Sequence, residues 1–208
     1  METKWAEENL QTIRTLMERS AVYRRALAPI MLLAGVIGVA ATSVGVIFQL
    51  DSPRVFGALW MGSAAIVIVG AFLIARRQAI KANEPFWSPP TRRVAESLMP
   101  PLTAGMVLGV LSTLIPKFIS VEFILPLPFL WALLYGCALH SAGFFMPRSI
   151  KWFGWLYIGL ACGILSVLDI VQPDLDFSPH CFMGFFFGGL HLAYGIYLYL
   201  TEKKNPIA

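Results

Sequence analysis

Two histidines in long apolar stretches are the residues of this 208-residue chain best suited to chemistry. His191 lies near the middle of the last apolar stretch, and His140 lies towards the end of an earlier one. At helical spacing each imidazole shares a face with glycines, which leave space beside the ring. Two histidines on facing helices with such space can ligate a haem iron from both sides. His140 and His191 are therefore the candidate ligands of a haem b, and a quinone pocket would need similar residues.

The same pattern has a second interpretation that requires no cofactor. Glycines let membrane helices approach closely, and an imidazole at such a contact can hydrogen-bond to the neighbouring helix. Tyr135, Ser141 and Tyr194 are the candidate partners. Because the chain carries no recognised haem signature, we expect no cofactor and keep haem b at His140 and His191 as the alternative.

The third histidine, His180, begins the last apolar stretch close to three aspartates: Asp169, Asp174 and Asp176. Mixed oxygen and nitrogen ligands suit a divalent cation, but these spacings match no specific metal motif. Ser178 and Pro179 instead have the residue types of a helix N-cap and a first helical position. We therefore expect a helix start here and no metal site.

Motifs that would indicate catalysis are missing from the sequence. It contains no nucleophile elbow, no HExxH zinc motif and no glycine-rich phosphate loop. No apolar stretch has a carboxylate near its centre, which disfavours ion-coupled transport. The sequence therefore predicts no catalytic residues and no enzyme, and it leaves a small-molecule permease as a further alternative.

Six apolar stretches must position these side chains. With 57% hydrophobic and 13% charged residues, and a mean hydropathy of +0.69, the chain has too little polar surface for a soluble globule. Each stretch has about twenty residues, the length of a helix that crosses ~30 Å of hydrocarbon. We predict an all-α, polytopic membrane protein with six transmembrane helices at 27–48, 55–75, 99–118, 123–145, 152–171 and 179–200.

Lysine and arginine residues set the orientation of the six predicted spans. Both termini share a side with the second and fourth loops, and that side carries all of the 16 basic residues except Arg54 and Lys117. We therefore expect both termini in the cytoplasm. In its architecture the chain resembles many small multi-span proteins of prokaryotic inner membranes, and this resemblance implies the same location. The pI of about 9.1 follows from this topology and does not indicate a nucleic-acid partner.

Residues 1–25 have the pattern of an amphipathic helix outside the membrane. One arc of the helical wheel is apolar and the opposite arc is charged. Four glutamates lie among the first twenty residues, whereas helices that float in the lipid interface carry an excess of lysine and arginine. We therefore expect this helix to dock on protein through its apolar residues Trp5, Leu10, Ile13, Leu16 and Met17.

The cytoplasmic loop 76–100 is the second predicted contact surface. Prolines in its centre end the preceding helix, and Thr91 is predicted to cap a short helix over 92–98 that runs into the third span. Phe86 and Trp87 suit the membrane interface. The loop contains five basic residues, among them Arg92 and Arg93, and two glutamates, so its net charge is +3. The loop and the acidic N-terminal helix have opposite charges, so they bind a partner or pack on each other.

These observations favour a non-enzymatic membrane protein whose cytoplasmic face binds a soluble or membrane-bound protein partner. A haem or quinone redox subunit is the alternative, and a permease is the second alternative. The predicted domains are a cytoplasmic helix (1–25), a six-helix membrane domain (26–200) and a cytoplasmic tail (201–208). Gly184 and Gly188, one turn apart in the last span, also permit two copies to associate.

Overall fold

The computed structural model describes residues 26–83, 85–115, 125–171 and 178–204, and within these ranges the chain forms helices and short connections without a strand. The first five helices are α1 (Ala26–Ile47), α2 (Pro53–Lys81), α3 (Pro89–Leu114), α4 (Leu127–Ala142) and α5 (Arg148–Val171). The last helix, α6, starts as Pro179–Met183, widens into a π-helical segment over Gly184–Leu190 and continues as His191–Lys204. The predicted all-α fold is confirmed.

Five of these helices, α1, α2, α3, α5 and α6, are long and apolar enough to cross a bilayer. They indicate a multi-pass integral membrane protein, as the apolar stretches predicted. The predicted span 123–145 contains instead the shorter helix α4, whose 16 residues extend about 24 Å. The predicted N-terminal helix lies outside the described residues, together with Trp5, Leu10, Ile13, Leu16 and Met17.

Most helix boundaries lie within about four residues of the predicted ones, and two differ by six or more. α2 continues to Lys81 over 29 residues, about 43 Å, and so extends past a hydrocarbon layer of ~30 Å. α3 begins at Pro89, with Ser88 as its N-cap, and continues without a break into the membrane-spanning part. Thr91 therefore lies inside the helix, where its hydroxyl donates to the Phe86 carbonyl at 2.9 Å. The earlier start arises because proline is favoured in the first helical turn, where its missing N–H needs no partner.

The shortest helix, α4, lies at the centre of the bundle. Nine of its 16 residues are buried, whereas four of the 29 residues of α2 are buried. On one side the Trp131 indole donates to the Gly105 carbonyl of α3 at 2.8 Å, and on the other side Gly136 lies against Gly154 of α5. Because α4 is surrounded by protein, it does not need the full apolar length that contact with lipid demands.

The helices α1 and α6 pack antiparallel along the glycines of α6. A Cβ atom at Gly188 would lie 3.0 Å from the Val39 side chain of α1, and one at Gly195 would lie 2.9 Å from Leu32. The glycine stripe that the sequence indicated therefore packs within the molecule. The antiparallel contact also brings the first described turn of α1 beside the last turns of α6.

Candidate functional site

His191 lies at the centre of the bundle, where α4, α5 and α6 meet, and is 2% exposed. Its Nε2 lies 2.8 Å from the Tyr135 hydroxyl of α4, and its Nδ1 lies 2.9 Å from the Tyr157 hydroxyl of α5. Nδ1 also lies 3.2 Å from the Phe186 carbonyl of its own helix. The Tyr157 hydroxyl donates to that same carbonyl. These four residues form one hydrogen-bonded group, the His191 network.

One arrangement of protons satisfies every contact in the His191 network. The Tyr157 hydroxyl donates its only hydrogen to the Phe186 carbonyl, so towards His191 its oxygen can only accept. Nδ1 of His191 must therefore carry the proton that this oxygen accepts. Nε2 then has the lone pair, and the Tyr135 hydroxyl donates to it. We assign the neutral, Nδ1-protonated tautomer to His191 on this argument.

The π-helical segment of α6 brings the Phe186 carbonyl into the network. A π turn is wider than an α turn and is closed by i→i+5 hydrogen bonds, so it shifts the following residues around the helix axis. The segment contains Gly184, Gly188 and Gly189, and a Cβ at Gly184 would lie 2.5 Å from the Thr42 hydroxyl of α1. Because a side chain there would collide with α1, the glycines let the wide turn fit against that helix.

Aromatic rings enclose the faces of the His191 imidazole. Four side chains have ring centroids 5.2 to 5.9 Å from it: Tyr135, Phe153, Tyr157 and Phe187. Phe153 also stacks on Tyr194 of α6, with the centroids 4.1 Å apart. Each such pair stabilises the packed state by about 0.5–1.5 kcal/mol beyond the burial of apolar area. The rings and the hydrogen bonds together join α4, α5 and α6 into one core.

The residues around His191 do not fit a haem b. An axial ligand must direct a free ring nitrogen at the iron, whereas both ring nitrogens of His191 lie within 3.2 Å of oxygen atoms. The space beside the flanking glycines is filled as well. A Cβ at Gly136, on the face of His140, would lie 2.9 Å from the Gly154 carbonyl, and Gly188, on the face of His191, lies against α1. The geometry favours the hydrogen-bonded interpretation, with Tyr135 as the partner of His191.

Tyr157 is the member of the network that sequence reasoning missed. It lies near the middle of α5 and is completely buried. A hydroxyl at that depth has no water to bond and needs a partner within the protein. A tyrosine inside a predicted span was therefore the signal that could have identified it.

His140 does not join His191. It lies two residues before the end of α4, and its ring contacts those of Phe144 and Trp155 at centroid distances of 5.6 and 5.0 Å. Its Nδ1 is buried and has no hydrogen-bond partner among the described residues. The two candidate haem ligands are thus in different places, His191 in the core and His140 near the turn between α4 and α5.

His180 joins three helices at the opposite end of the bundle and is completely buried. The Trp60 indole of α2 donates to its Nδ1 at 3.1 Å, so Nε2 carries the proton and donates to the Leu50 carbonyl at 3.2 Å. Its backbone N–H donates to the Ser178 hydroxyl at 3.3 Å, which confirms the predicted helix start.

The side chains of the three aspartates near His180 lie outside the described residues. Within the described ranges, no three His, Cys, Asp or Glu residues lie close enough together to hold a metal ion.

The predicted loop surface lies where α2 ends and α3 begins. Phe86 packs edge-on against Phe72 of α2, with the ring centroids 5.0 Å apart, whereas Trp87 is 62% exposed. Arg92 and Arg93 are exposed near the start of α3, and Arg92 forms an i,i+4 ion pair on the same helix at 2.6 Å. Phe86 is thus anchored on α2, while Trp87 and the two arginines lie on the surface.

No protein-family model, no curated protein and no solved structure matches this chain.

Proposed function

We propose that this chain crosses the inner membrane of a prokaryotic cell six times. It is a non-enzymatic protein that binds a protein partner at its cytoplasmic end. The observation that carries the proposal is the position of Trp87. It is exposed outside the helices and close in sequence to Arg92 and Arg93, while its neighbour Phe86 is anchored on α2. The proposal includes α4 as the sixth crossing helix.

The direction of α4 supports a sixth crossing. Near its start, the Trp131 ring stacks on Phe56 of α2 with centroids 6.2 Å apart, and Phe56 contacts His180 at the start of α6. Beyond its other end, Gly143 contacts Lys151 of α5. The helix therefore extends from one end of the bundle towards the other, antiparallel to α3 and α5 and parallel to α2 and α6.

The distribution of basic residues supports cytoplasmic termini. The end of the bundle that contains the start of α1 and the end of α6 carries most of the described lysines and arginines: Arg76, Arg77, Lys81, Arg92, Arg93, Arg148, Lys151, Lys203 and Lys204. Among the described residues, Arg54 alone lies at the opposite end. Cytoplasmic loops carry an excess of these residues, so the first end belongs in the cytoplasm.

The loop between α2 and α3 has the composition of a protein contact. Tryptophan and arginine are enriched among the residues that contribute most to binding protein partners. Because Phe86 is packed on Phe72, the loop is already ordered, which reduces the entropy lost on binding. The positive charge of the loop selects a partner with acidic residues. In this proposal the apolar arc of residues 1–25 forms a second part of the same surface, through Trp5, Leu10, Ile13, Leu16 and Met17.

The two buried histidines of the helix bundle support a non-enzymatic function. His180 and His191 each have both ring nitrogens hydrogen-bonded to groups of the protein. These bonds connect helices and leave no imidazole nitrogen of the two residues directed at a substrate. We therefore propose neither a redox nor a transport activity.

Photocrosslinking in cells tests the proposed partner. p-Benzoylphenylalanine is placed at position 87 and, as the matched control, at position 152, where Trp152 is exposed at the same end of the bundle. We expect a discrete protein adduct from position 87 alone, and its loss when Arg92→Glu and Arg93→Glu are added. The same protein adduct from both positions, an adduct that survives the charge reversal, or no adduct at position 87 would contradict the proposal.

A further inference from the structure

The turn between α4 and α5 and the first turns of α5 carry exposed aromatic rings. Phe144 is 65% exposed and Trp152 is 73% exposed, and Trp155 is exposed about one turn further along α5. All three lie at the end of the bundle that carries most of the basic residues. Aromatic side chains are most stable in this position, at the boundary between hydrocarbon and lipid headgroups.

Two basic residues lie among these rings. Arg148 is exposed at the start of α5, and the Lys151 ammonium lies 4.0 Å from the centroid of the Phe144 ring. The sequence contains no Asp or Glu between positions 123 and 168, and among the described residues no carboxylate lies within 4.0 Å of either basic side chain. Two positive charges therefore lie close together at the membrane boundary.

His140 adds a polar group beneath the same rings. Its imidazole contacts Phe144 and Trp155, and its buried Nδ1 has no hydrogen-bond partner among the described residues. The protein encloses this nitrogen, so the imidazole supports the Phe144 and Trp155 rings from beneath.

We propose that the headgroup of an anionic phospholipid binds to the hairpin surface, which consists of Phe144, Arg148, Lys151, Trp152 and Trp155. The lipid phosphate lies between Arg148 and Lys151, and the glycerol backbone lies against the two tryptophans. This site is separate from the loop around Trp87, so it goes beyond the proposed partner-binding function.

A lipid fits the hairpin surface better than a protein partner does. Beyond Trp155 the exposed side of α5 continues through Leu156 and Gly159 into the spanning part of the helix. The surface is therefore continuous with the side of the protein that contacts acyl chains. Basic residues at the membrane boundary attract anionic headgroups more strongly than zwitterionic ones.

Native mass spectrometry of the full-length chain in neutral detergent tests the proposal. The delipidated protein is titrated with phosphatidylglycerol or with phosphatidylcholine that has the same acyl chains. We expect the first phosphatidylglycerol to bind at least about tenfold more tightly than the first phosphatidylcholine, because two basic residues attract its negative charge. The Arg148→Gln, Lys151→Gln double variant should lose this preference. The matched control Arg54→Gln removes a charge at the opposite end and should retain it.

A second measurement keeps the test independent of how well the double variant folds. Brominated phosphatidylglycerol quenches tryptophan fluorescence on contact, and we expect the Trp152→Phe variant to lose part of the quenching that the parent chain shows. Equal binding of the two lipids by the parent chain would overturn the proposal. So would a folded double variant that retains the preference, unchanged quenching in Trp152→Phe, or a protein adduct from a photocrosslinker at position 152.

Discussion

The Tyr157 hydroxyl of α5 donates to the Phe186 carbonyl inside the π-helical segment of α6. Through this bond a side chain of one helix stabilises the backbone geometry of another. The same hydroxyl oxygen accepts the Nδ1 proton of His191, so Tyr157 contacts both the π turn and the ring nitrogen that carries the proton. The network is therefore a tertiary feature that holds three helices in one arrangement.

The Tyr157→Phe variant removes this hydroxyl and keeps the ring. The Phe186 carbonyl is left with Nδ1 of His191 at 3.2 Å, and the network loses one donor. The carbonyl and both ring nitrogens keep at least one partner or lose only an acceptor they shared, so we expect the free energy of unfolding to fall by about 0.5–1.5 kcal/mol, the usual net contribution of one hydrogen bond. Thermal unfolding in detergent measures this, with Tyr197→Phe, at an exposed tyrosine of α6, as the control. Equal stability of the two variants would show that the network does not hold the helices.

The contact between Trp60 and His180 should give an energetic coupling. Trp60→Phe removes the indole donor, and His180→Ala removes its acceptor. In a double-mutant cycle we expect the two changes to be non-additive by about 0.5–3 kcal/mol, as for residues in direct contact. The pair Trp60→Phe and Tyr197→Phe, which shares no contact, should be additive. Additive losses for Trp60 and His180 would mean that this hydrogen bond does not stabilise the protein.

Gly38 of α1 lies directly against the backbone of α6. A Cβ atom there would collide with the Phe187 carbonyl, and backbone cannot rotate away as a side chain can. We expect Gly38→Ala to lower the free energy of unfolding by about 1–3 kcal/mol through overpacking. The control Gly62→Ala places its methyl group where no atom lies within 4 Å, and alanine favours the helix, so it should lose nothing. A thermal-stability assay that ranks the two variants equal would refute this packing.

Cysteine labelling tests whether α4 crosses the membrane. In a chain whose three native cysteines are replaced, we introduce Leu125→Cys before α4 and Phe145→Cys after it, both at exposed positions. We expect an impermeant thiol reagent to label position 125 in intact cells and position 145 only after permeabilisation. Ser52→Cys and Lys81→Cys, at the two ends of α2, provide the outer and inner controls. Labelling of positions 125 and 145 from the same side would show that the span count is five.

A visible absorption spectrum tests the haem alternative. Because both ring nitrogens of His191 are hydrogen-bonded, we expect no Soret band from protein purified out of cells supplied with haem. The spectrum is recorded before and after reduction with dithionite. A Soret band that shifts on reduction and is lost in the His191→Ala variant would contradict the tautomer and the closed packing described for this residue.

The sequence by itself determined the class of this protein, the positions of the long apolar helices and the end of the bundle that carries the basic residues. These properties depend on local composition, because about twenty apolar residues favour hydrocarbon and basic loops favour the cytoplasm whatever their neighbours are. The start of α6 was equally local, since Ser178 and Pro179 act within one turn.

Only the tertiary structure decided which helix faces meet. Helices such as α2 and α4 are apolar on every side, so periodicity does not distinguish a face that contacts lipid from one that is buried. For this reason the central position of α4, the separation of His140 from His191 and the role of Tyr157 could not be predicted. Each of these depends on contacts between residues far apart in the chain, and those contacts exist only in the packed bundle.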